Sequence, residues 1–373
     1  MEIEAAVVRV PGAFSVEKLA ISAPAVGEVL VKIAGVGICH TDLVFGAGFR
    51  PYSWPSVLGH EGSGEVVEVG AGVEGFLPGD KVVLGFSSCG RCTHCKDSLP
   101  GYCREFGALN FAGGRPDEST ALSANGEKVG SHFFGQSSFA GYAITRARNL
   151  VKVPQTNVAL ELLGPLGCGF QTGAGAVIRA LRCRAGSSLV VTGGGSVGLA
   201  AVMAGGIQKC AHIILVEPLA ARRELAMGIG ATATIDPAEG DLAGQVRALL
   251  PDGADYVVDT TGRVTVVEAM IEVLATQGAL GLLGVPDDPG ATTPLKIGQT
   301  MLRGQRIVGI IEGESDQQGF IPELIEHQRA GRFPFERLIR TFPLAQISEA
   351  IDAQKRGECV KAVLIPAHAV AAG

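Results

Sequence analysis

The chain has 373 residues, 47% of them hydrophobic, with 53 glycines and a formal net charge of -6. That much apolar material excludes a disordered chain and supports about two domains, and the many glycines fit the tight turns of an α/β enzyme better than a helical bundle. An acidic balance without any lysine or arginine run gives no attraction to nucleic acid, so the expected partner is a small molecule.

The amino terminus, Met1-Glu2-Ile3-Glu4-Ala5-Ala6-Val7, lacks a basic stretch followed by an apolar core, so neither export nor membrane insertion is signalled and the cytoplasm is the expected location. Short β-rich runs at 5–10, 29–36, 64–69 and 81–84 are separated by Gly and Pro turns, the pattern of a twisted antiparallel sheet. Between residues 169 and 311 the pattern changes to apolar strands alternating with helices. The strand candidates are 188–192, 213–217, 232–235, 256–259, 280–285 and 307–311, enough for a doubly wound parallel sheet of six strands. The remainder holds helix-like stretches at 320–330 and 347–356 and a strand-like 360–365, and is expected to return to the first domain. The small-residue stretch 367–373 reads as frayed. The predicted organisation is α/β: a β-rich catalytic domain of residues 1–168 and 312–373, and a nucleotide-binding domain of residues 169–311.

Chemistry is densest in the cysteines. Cys89, Cys92, Cys95 and Cys103 sit in C-G-R-C-T-H-C-K-D-S-L-P-G-Y-C, a loop short enough to close tetrahedrally around one ion. Four thiolates leave no open coordination position, so a zinc there would be structural. In a reducing cytosol, metal binding is the better reading than a disulfide framework. Cys183, Cys210 and Cys359 stand alone and read as packing residues. His94, next to Cys95, reads as solvated, and His132, His212, His327 and His368 as surface or packing residues.

Gly193-Gly194-Gly195-Ser196-Val197-Gly198 is a G-x-G-x-x-G that follows an apolar strand and opens, at Val197, a helical stretch over 197–203. Gly193 allows the tight turn, Gly195 lets the backbone approach a pyrophosphate, and Gly198 lets helix and strand pack closely, with the anion at the helix N-terminus. Glu217 ends the next strand candidate about 20 residues on, where a carboxylate accepts both ribose hydroxyls and repels a 2'-phosphate. NAD is therefore favoured over NADP, with Arg222 and Arg223 close enough to soften that preference.

A second, dispersed set of metal-ligand types lies in Gly37-Ile38-Cys39-His40-Thr41-Asp42, in Gly59-His60-Glu61 and in Pro165-Leu166-Gly167-Cys168-Gly169; spacing alone does not unite it. However, Gly59-His60-Glu61-Gly62-Ser63-Gly64, then Gly70 and Val73, meet the pattern G-H-E-x-x-G-x5-G-x2-V at every fixed position. The chain resembles the zinc-dependent medium-chain alcohol dehydrogenases over essentially its whole length. That resemblance implies a GroES-like catalytic domain beside a Rossmann coenzyme domain, NAD as coenzyme, and two zincs per chain. Cys39, His60 and Cys168 match the ligands of the catalytic zinc, a neutral site with an open fourth position and enough Lewis acidity to favour a bound alkoxide. Asp42 is then expected to orient His60, and Glu61 to approach the metal during ligand exchange.

By the same resemblance, Thr41 takes the alcohol proton and passes it to the nicotinamide ribose. The chain departs from the animal enzymes three residues later, where Val44 stands in place of their relay histidine. His40 matches a basic residue at the coenzyme pyrophosphate, and it binds phosphate, shuttles the proton, or does both. Lys361 matches another pyrophosphate contact, or else is a solvated surface lysine. Thr172 matches the residue that supports the nicotinamide carboxamide. Trp54, Phe86 and Ile311 are the expected walls of the alcohol pocket. Stretches 34–43, 133–139 and 162–169 resemble bacterial benzyl, aryl and allylic terpene alcohol dehydrogenases, which implies aromatic or allylic primary alcohols. Saturated alcohols, polyols and glutathione adducts are the alternatives; the glutathione-dependent formaldehyde dehydrogenases carry acidic residues ahead of Gly59-His60-Glu61, where 49–57 has none. A non-catalytic NAD- and zinc-binding relative would be marked by lost ligands, and all three are present. The edge strand 307–311 offers pairing across a two-fold axis, so a homo-oligomer, dimer or tetramer, is expected.

Overall fold

A computed structural model of the protein describes residues 1–48 and 55–367, so Trp54 and His368 lie outside the described residues. The chain divides into two compact units: Met1–Gly169 with Asp316–Glu326 and Glu336–Gly373, and Phe170–Ser315 with His327–Phe335. Residues 312–315 and 327–335 thus go with the nucleotide unit, where the sequence reading had placed them in the catalytic domain.

In the first unit, among the described residues, the strands form two sheets. The smaller one is antiparallel and is built on the hairpin Glu2–Val8 with Phe14–Ile21. The larger is centred on Glu28–Gly37, a strand buried at every position but the half-buried Lys32 and Ala34, which pairs with Glu61–Val69, Tyr142–Arg146 and Lys361–Ile365. Its register positions the chemistry. Gly37 is opposite Glu61 on one side and Val363 on the other, so the segment just past Gly37, the segment just before Glu61 and the start of the last strand converge at one end of the sheet.

The second unit is a parallel sheet with strand order Ala233–Ile235, His212–Val216, Ser188–Thr192, Ala254–Asp259, Leu274–Leu282, Arg306–Gly309. Ser188–Thr192 is buried along its whole length, as a central parallel strand covered on both faces must be. Helix Ser196–Ile207 follows it, is built from small and apolar residues, and is buried almost all round, with no polar stripe.

Candidate active site

Helix His40–Gly46 starts from Cys39 as its N-cap. Asp42, fully buried, closes that first turn by accepting from the Cys39 N–H through Oδ2 (2.9 Å). Its other oxygen, Oδ1, accepts from the Gly59 N–H (3.1 Å) and from His60 Nδ1 (2.8 Å). A carboxylate at Nδ1 places the ring proton there and leaves Nε2 as the free donor atom. His60 Nε2 is buried and has no hydrogen-bond partner. Burial alone would pull the His60 pKa down, but the charges of Asp42 and Cys39 override it and raise it well above the usual value. Contact with the Cys168 thiol and the charge of His60 hold the Cys39 thiol well below the usual range, against the effect of burial.

Cys39, His60, Glu61 and Cys168 bring their ligand atoms within 4.8 Å of one another. Two soft sulfur donors and an imidazole nitrogen with no hydrogen-bond partner fit a zinc ion. Glu61 belongs to this group in space, yet its carboxylate is engaged elsewhere: Lys361 Nζ donates to both oxygens (2.9 and 2.8 Å), and the Gly169 N–H donates to Oε1 (3.2 Å). Burial pushes the Glu61 pKa up, with Lys361 opposing it. Lys361 is therefore not the solvated lysine that the sequence allowed. It is 1% exposed, with its third contact on Ile38 O (3.0 Å), so its ammonium serves Glu61. Nothing local could have told this, because the two residues are 300 positions apart.

Thr41 is half-buried with Oγ1 3.8 Å from Cys39 Sγ, and His40 beside it is exposed. Phe134 stacks on the His60 imidazole (4.3 Å between centroids, 20° between planes), and Phe133 meets its edge at 5.6 Å. Phe86, expected in the alcohol pocket, is 1% exposed and packs on Phe106 within the hydrophobic core. Its side chain is core material, because an aromatic beside a strand end carries no sequence mark that tells pocket from interior. Ile311 is 46% exposed and lies just beyond the last strand, which ends at Gly309.

In the four-cysteine lobe the thiols also lie within 4.8 Å of one another, with Cys92 Sγ 3.6 Å and Cys89 Sγ 3.9 Å from Cys95 Sγ. Backbone N–H groups lower Cys92 to about 6, whereas burial pushes Cys103 up to about 12 and also raises Cys95. The lobe without an ion is thus part thiol and part thiolate; a zinc completes it by displacing protons from Cys95 and Cys103. His94 is exposed, and His132 is buried, with its Nδ1 2.7 Å from the Ser131 hydroxyl.

The nucleotide fingerprint has the expected shape. Gly193 has φ 94°, a Cβ at Gly198 would collide with Gly193 O, and a Cβ at Gly195 would meet nothing within 4 Å. That open face beside the N-terminus of Ser196–Ile207 suits an approaching pyrophosphate. Glu217 lies one residue beyond its strand, which ends at Val216. Its carboxylate accepts from the N–H of Gly194 (2.6 Å) and of Leu219 (2.9 Å), so it braces the glycine loop itself. Arg223 is committed to Asp236 (2.9 Å), while Arg222 keeps a buried Nε without a partner. The Thr172 hydroxyl donates to Glu312 Oε2 (3.4 Å), a buried carboxylate that sequence reasoning did not single out. No helix among the described residues is long and apolar enough to cross a membrane.

Comparison with known proteins agrees with this geometry. Residues 25–155 match the alcohol dehydrogenase GroES-like domain and residues 196–327 the zinc-binding dehydrogenase domain. The chain is 46% identical to geraniol dehydrogenase of Castellaniella defragrans, over 97% of each chain. Among solved structures it superposes on an alcohol dehydrogenase zinc-binding domain protein from Burkholderia ambifaria (TM-score 0.96, 44% identity, covering 99% of this chain and 100% of that one). It also superposes on benzyl alcohol dehydrogenase from Acinetobacter calcoaceticus (TM-score 0.94, 38% identity, covering 98% and 100%). The chain belongs to the zinc-dependent medium-chain alcohol dehydrogenases. It is an oxidoreductase of alcohols that uses zinc and a nicotinamide coenzyme.

Proposed function

We propose that the protein catalyses the reversible NAD-linked oxidation of primary aromatic or allylic alcohols to aldehydes. The observation that carries the chemistry is the buried His60 Nε2, which has no hydrogen-bond partner and lies within 4.8 Å of the Cys39 and Cys168 thiols. Those three residues hold the catalytic zinc, and Cys89, Cys92, Cys95 and Cys103 a structural one. A zinc held at the first site would supply the Lewis acidity that makes an alcohol hydroxyl acidic near neutral pH, and a bound nicotinamide would supply the hydride acceptor.

The chain's own residues handle the rest. Asp42 keeps His60 in the tautomer with Nε2 free. Thr41 Oγ1 takes the hydroxyl proton and hands it on without carrying net charge. His40, exposed at the preceding position, is the basic group placed to bind the coenzyme phosphate, to shuttle the proton, or to do both. Glu61 stands beside the ligands with its charge balanced by Lys361, available for ligand exchange. On the coenzyme side Gly193, Gly195, Val197 and Gly198 form the phosphate cradle, Glu217 and Arg222 flank the adenosine ribose, and Thr172 supports the carboxamide. Glu217 favours NAD over NADP.

The substrate class is supported by the names of two relatives, a geraniol and a benzyl alcohol dehydrogenase, and by the apolar, aromatic surroundings of His60. The test is NAD reduction followed by absorbance, with benzyl alcohol and geraniol set against ethanol and hydroxymethylglutathione. The expected result is at least a tenfold higher kcat/KM for the two unsaturated alcohols, about 1.4 kcal/mol of selectivity. Preference for ethanol or the glutathione adduct would overturn the substrate assignment and leave the class standing.

The molecule is further read as a homo-oligomer. Among the described residues strand Arg306–Gly309 stands at the end of the sheet order beside Leu274–Leu282, and near this sheet edge Ile297, Met301, Leu302 and Ile307 are exposed. A sheet edge flanked by apolar side chains matches a second copy across a two-fold axis. Light scattering on the double variant Leu302→Lys, Ile307→Lys is expected to give half the mass of the unsubstituted protein or less. An unchanged mass would place the interface elsewhere.

A further inference from the structure

The turn 132–139 grips the chain on both sides of His60. The Ser137 hydroxyl donates to Val57 O (2.6 Å), the Phe139 N–H to Leu58 O (3.0 Å) and the Ser138 N–H to Gly59 O (2.9 Å). The side chain of Gln136, 1% exposed, completes the grip. Its Oε1 accepts from the Gly62 N–H (3.1 Å) and the Ser138 hydroxyl (2.9 Å). Its Nε2 donates to His60 O (3.0 Å) and lies 3.3 Å from both Leu84 O and Gly85 O.

Leu84 O is also where the segment of the third ligand rests. A Cβ added at Gly167, next to Cys168, would collide with that carbonyl, and one added at Gly164 would collide with Glu61 O. The segment bearing Cys168 therefore lies flat on the same two pieces of backbone that the Gln136 amide joins. The turn itself is held in the left-handed region at His132, Phe134 and Ser137 (φ 65°, 50° and 51°), which non-glycine residues keep only where their surroundings impose it.

We infer that Gln136 is a positioning residue of the metal centre, its amide setting the spacing between His60 and Cys168. This rests on the assignment of Cys39, His60 and Cys168 as zinc ligands. The position requires an uncharged group that accepts from an N–H and donates to carbonyls at once, which an amide does. Leucine leaves the Gly62 N–H unpaired in the interior, and an ionised glutamate sets a carboxylate against three carbonyl oxygens.

The experiment measures zinc affinity at each site of the whole protein by chelator competition, with cobalt substitution to read the thiolate absorption of the catalytic site and thermal unfolding in parallel. Gln136→Leu is expected to bind catalytic zinc roughly 10–100-fold more weakly, as loss of a group that orients a ligand does. Its cobalt spectrum shifts and kcat falls more than KM changes, while the four-cysteine lobe keeps its zinc. Should that chain not fold, Gln136→Asn, whose shorter amide reaches only one set of partners, shows the same change in smaller degree. A folded variant with unaltered affinity and spectrum, and only a lower unfolding temperature, overturns the inference. Failure of the ligand assignment itself has a different signature: the zinc count of Cys39→Ser would equal that of the unsubstituted protein.

Discussion

Replacing Cys39 by serine is expected to leave a folded protein that holds one zinc instead of two and loses alcohol oxidation by about 10³-fold or more. A serine hydroxyl is far less acidic than a thiol, and the Cys39 thiol is lowered further by its neighbours, so the site loses a soft and readily ionised ligand. What remains, His60 Nε2 and Cys168, does not fill three positions around zinc. Several kcal/mol of transition-state charge stabilisation then disappears, and about 4 kcal/mol corresponds to that loss of rate. The fold is expected to survive because Cys39 holds its helix through backbone geometry: its N–H still donates to Asp42. Metal analysis, circular dichroism and initial rates on the same preparation check this, and near-normal turnover would sink the mechanism.

Replacing Cys95 by alanine is expected to act on stability, with chemistry affected only secondarily. Cys95 lies 3.6 Å from Cys92 Sγ and 3.9 Å from Cys89 Sγ, so its loss opens the lobe on two sides. Burial of Cys103, which pushes its thiol up to about 12, makes the thiolate form there depend on the ion. Without a metal Cys95 and Cys103 take back their protons and the lobe gives up the linked binding energy. A loss on the order of 3 kcal/mol lowers the unfolding temperature of a unit this size by roughly 6–12 °C. Calorimetry on the zinc-loaded proteins measures it, and the same shift should appear when a chelator strips the unsubstituted enzyme. Equal unfolding temperatures for variant and parent would remove the structural role of this ion.

Much of the fold was legible because its parallel strands are short, apolar and bounded by glycine. The reading of 188–192 coincides with the observed strand, and the other five candidates overlap theirs with ends displaced by a few residues. Phe14–Ile21 has no alternation of burial over its first half, where Ser15, Val16 and Lys18 are exposed, and it is a strand through pairing with Glu2–Val8. Strand Leu274–Leu282 begins six residues before the predicted start, because Thr276 and Gln277 interrupt its apolar run, and Gln277 sits at φ 64°.

At the site, residue types and short spacings carried the information that local chemistry allows. A lobe of four cysteines within one loop, a glycine fingerprint between strand and helix, and the Gly59-His60-Glu61 run are each specified within a few consecutive residues. Which partner each buried group takes is decided by packing through space, which sequence distance does not encode. The pairing of Glu28–Gly37 with both Glu61–Val69 and Lys361–Ile365 gave Lys361 to Glu61, and the turn at 132–139 gave Gln136 and Phe134 to His60. The sequence by itself determined which donor types and which glycine loop the chain carries, since a metal or a phosphate selects for donor atoms and bare backbone. Only the tertiary structure decided their supports, because a buried charge or amide must be satisfied by whatever group the fold brings within hydrogen-bond reach.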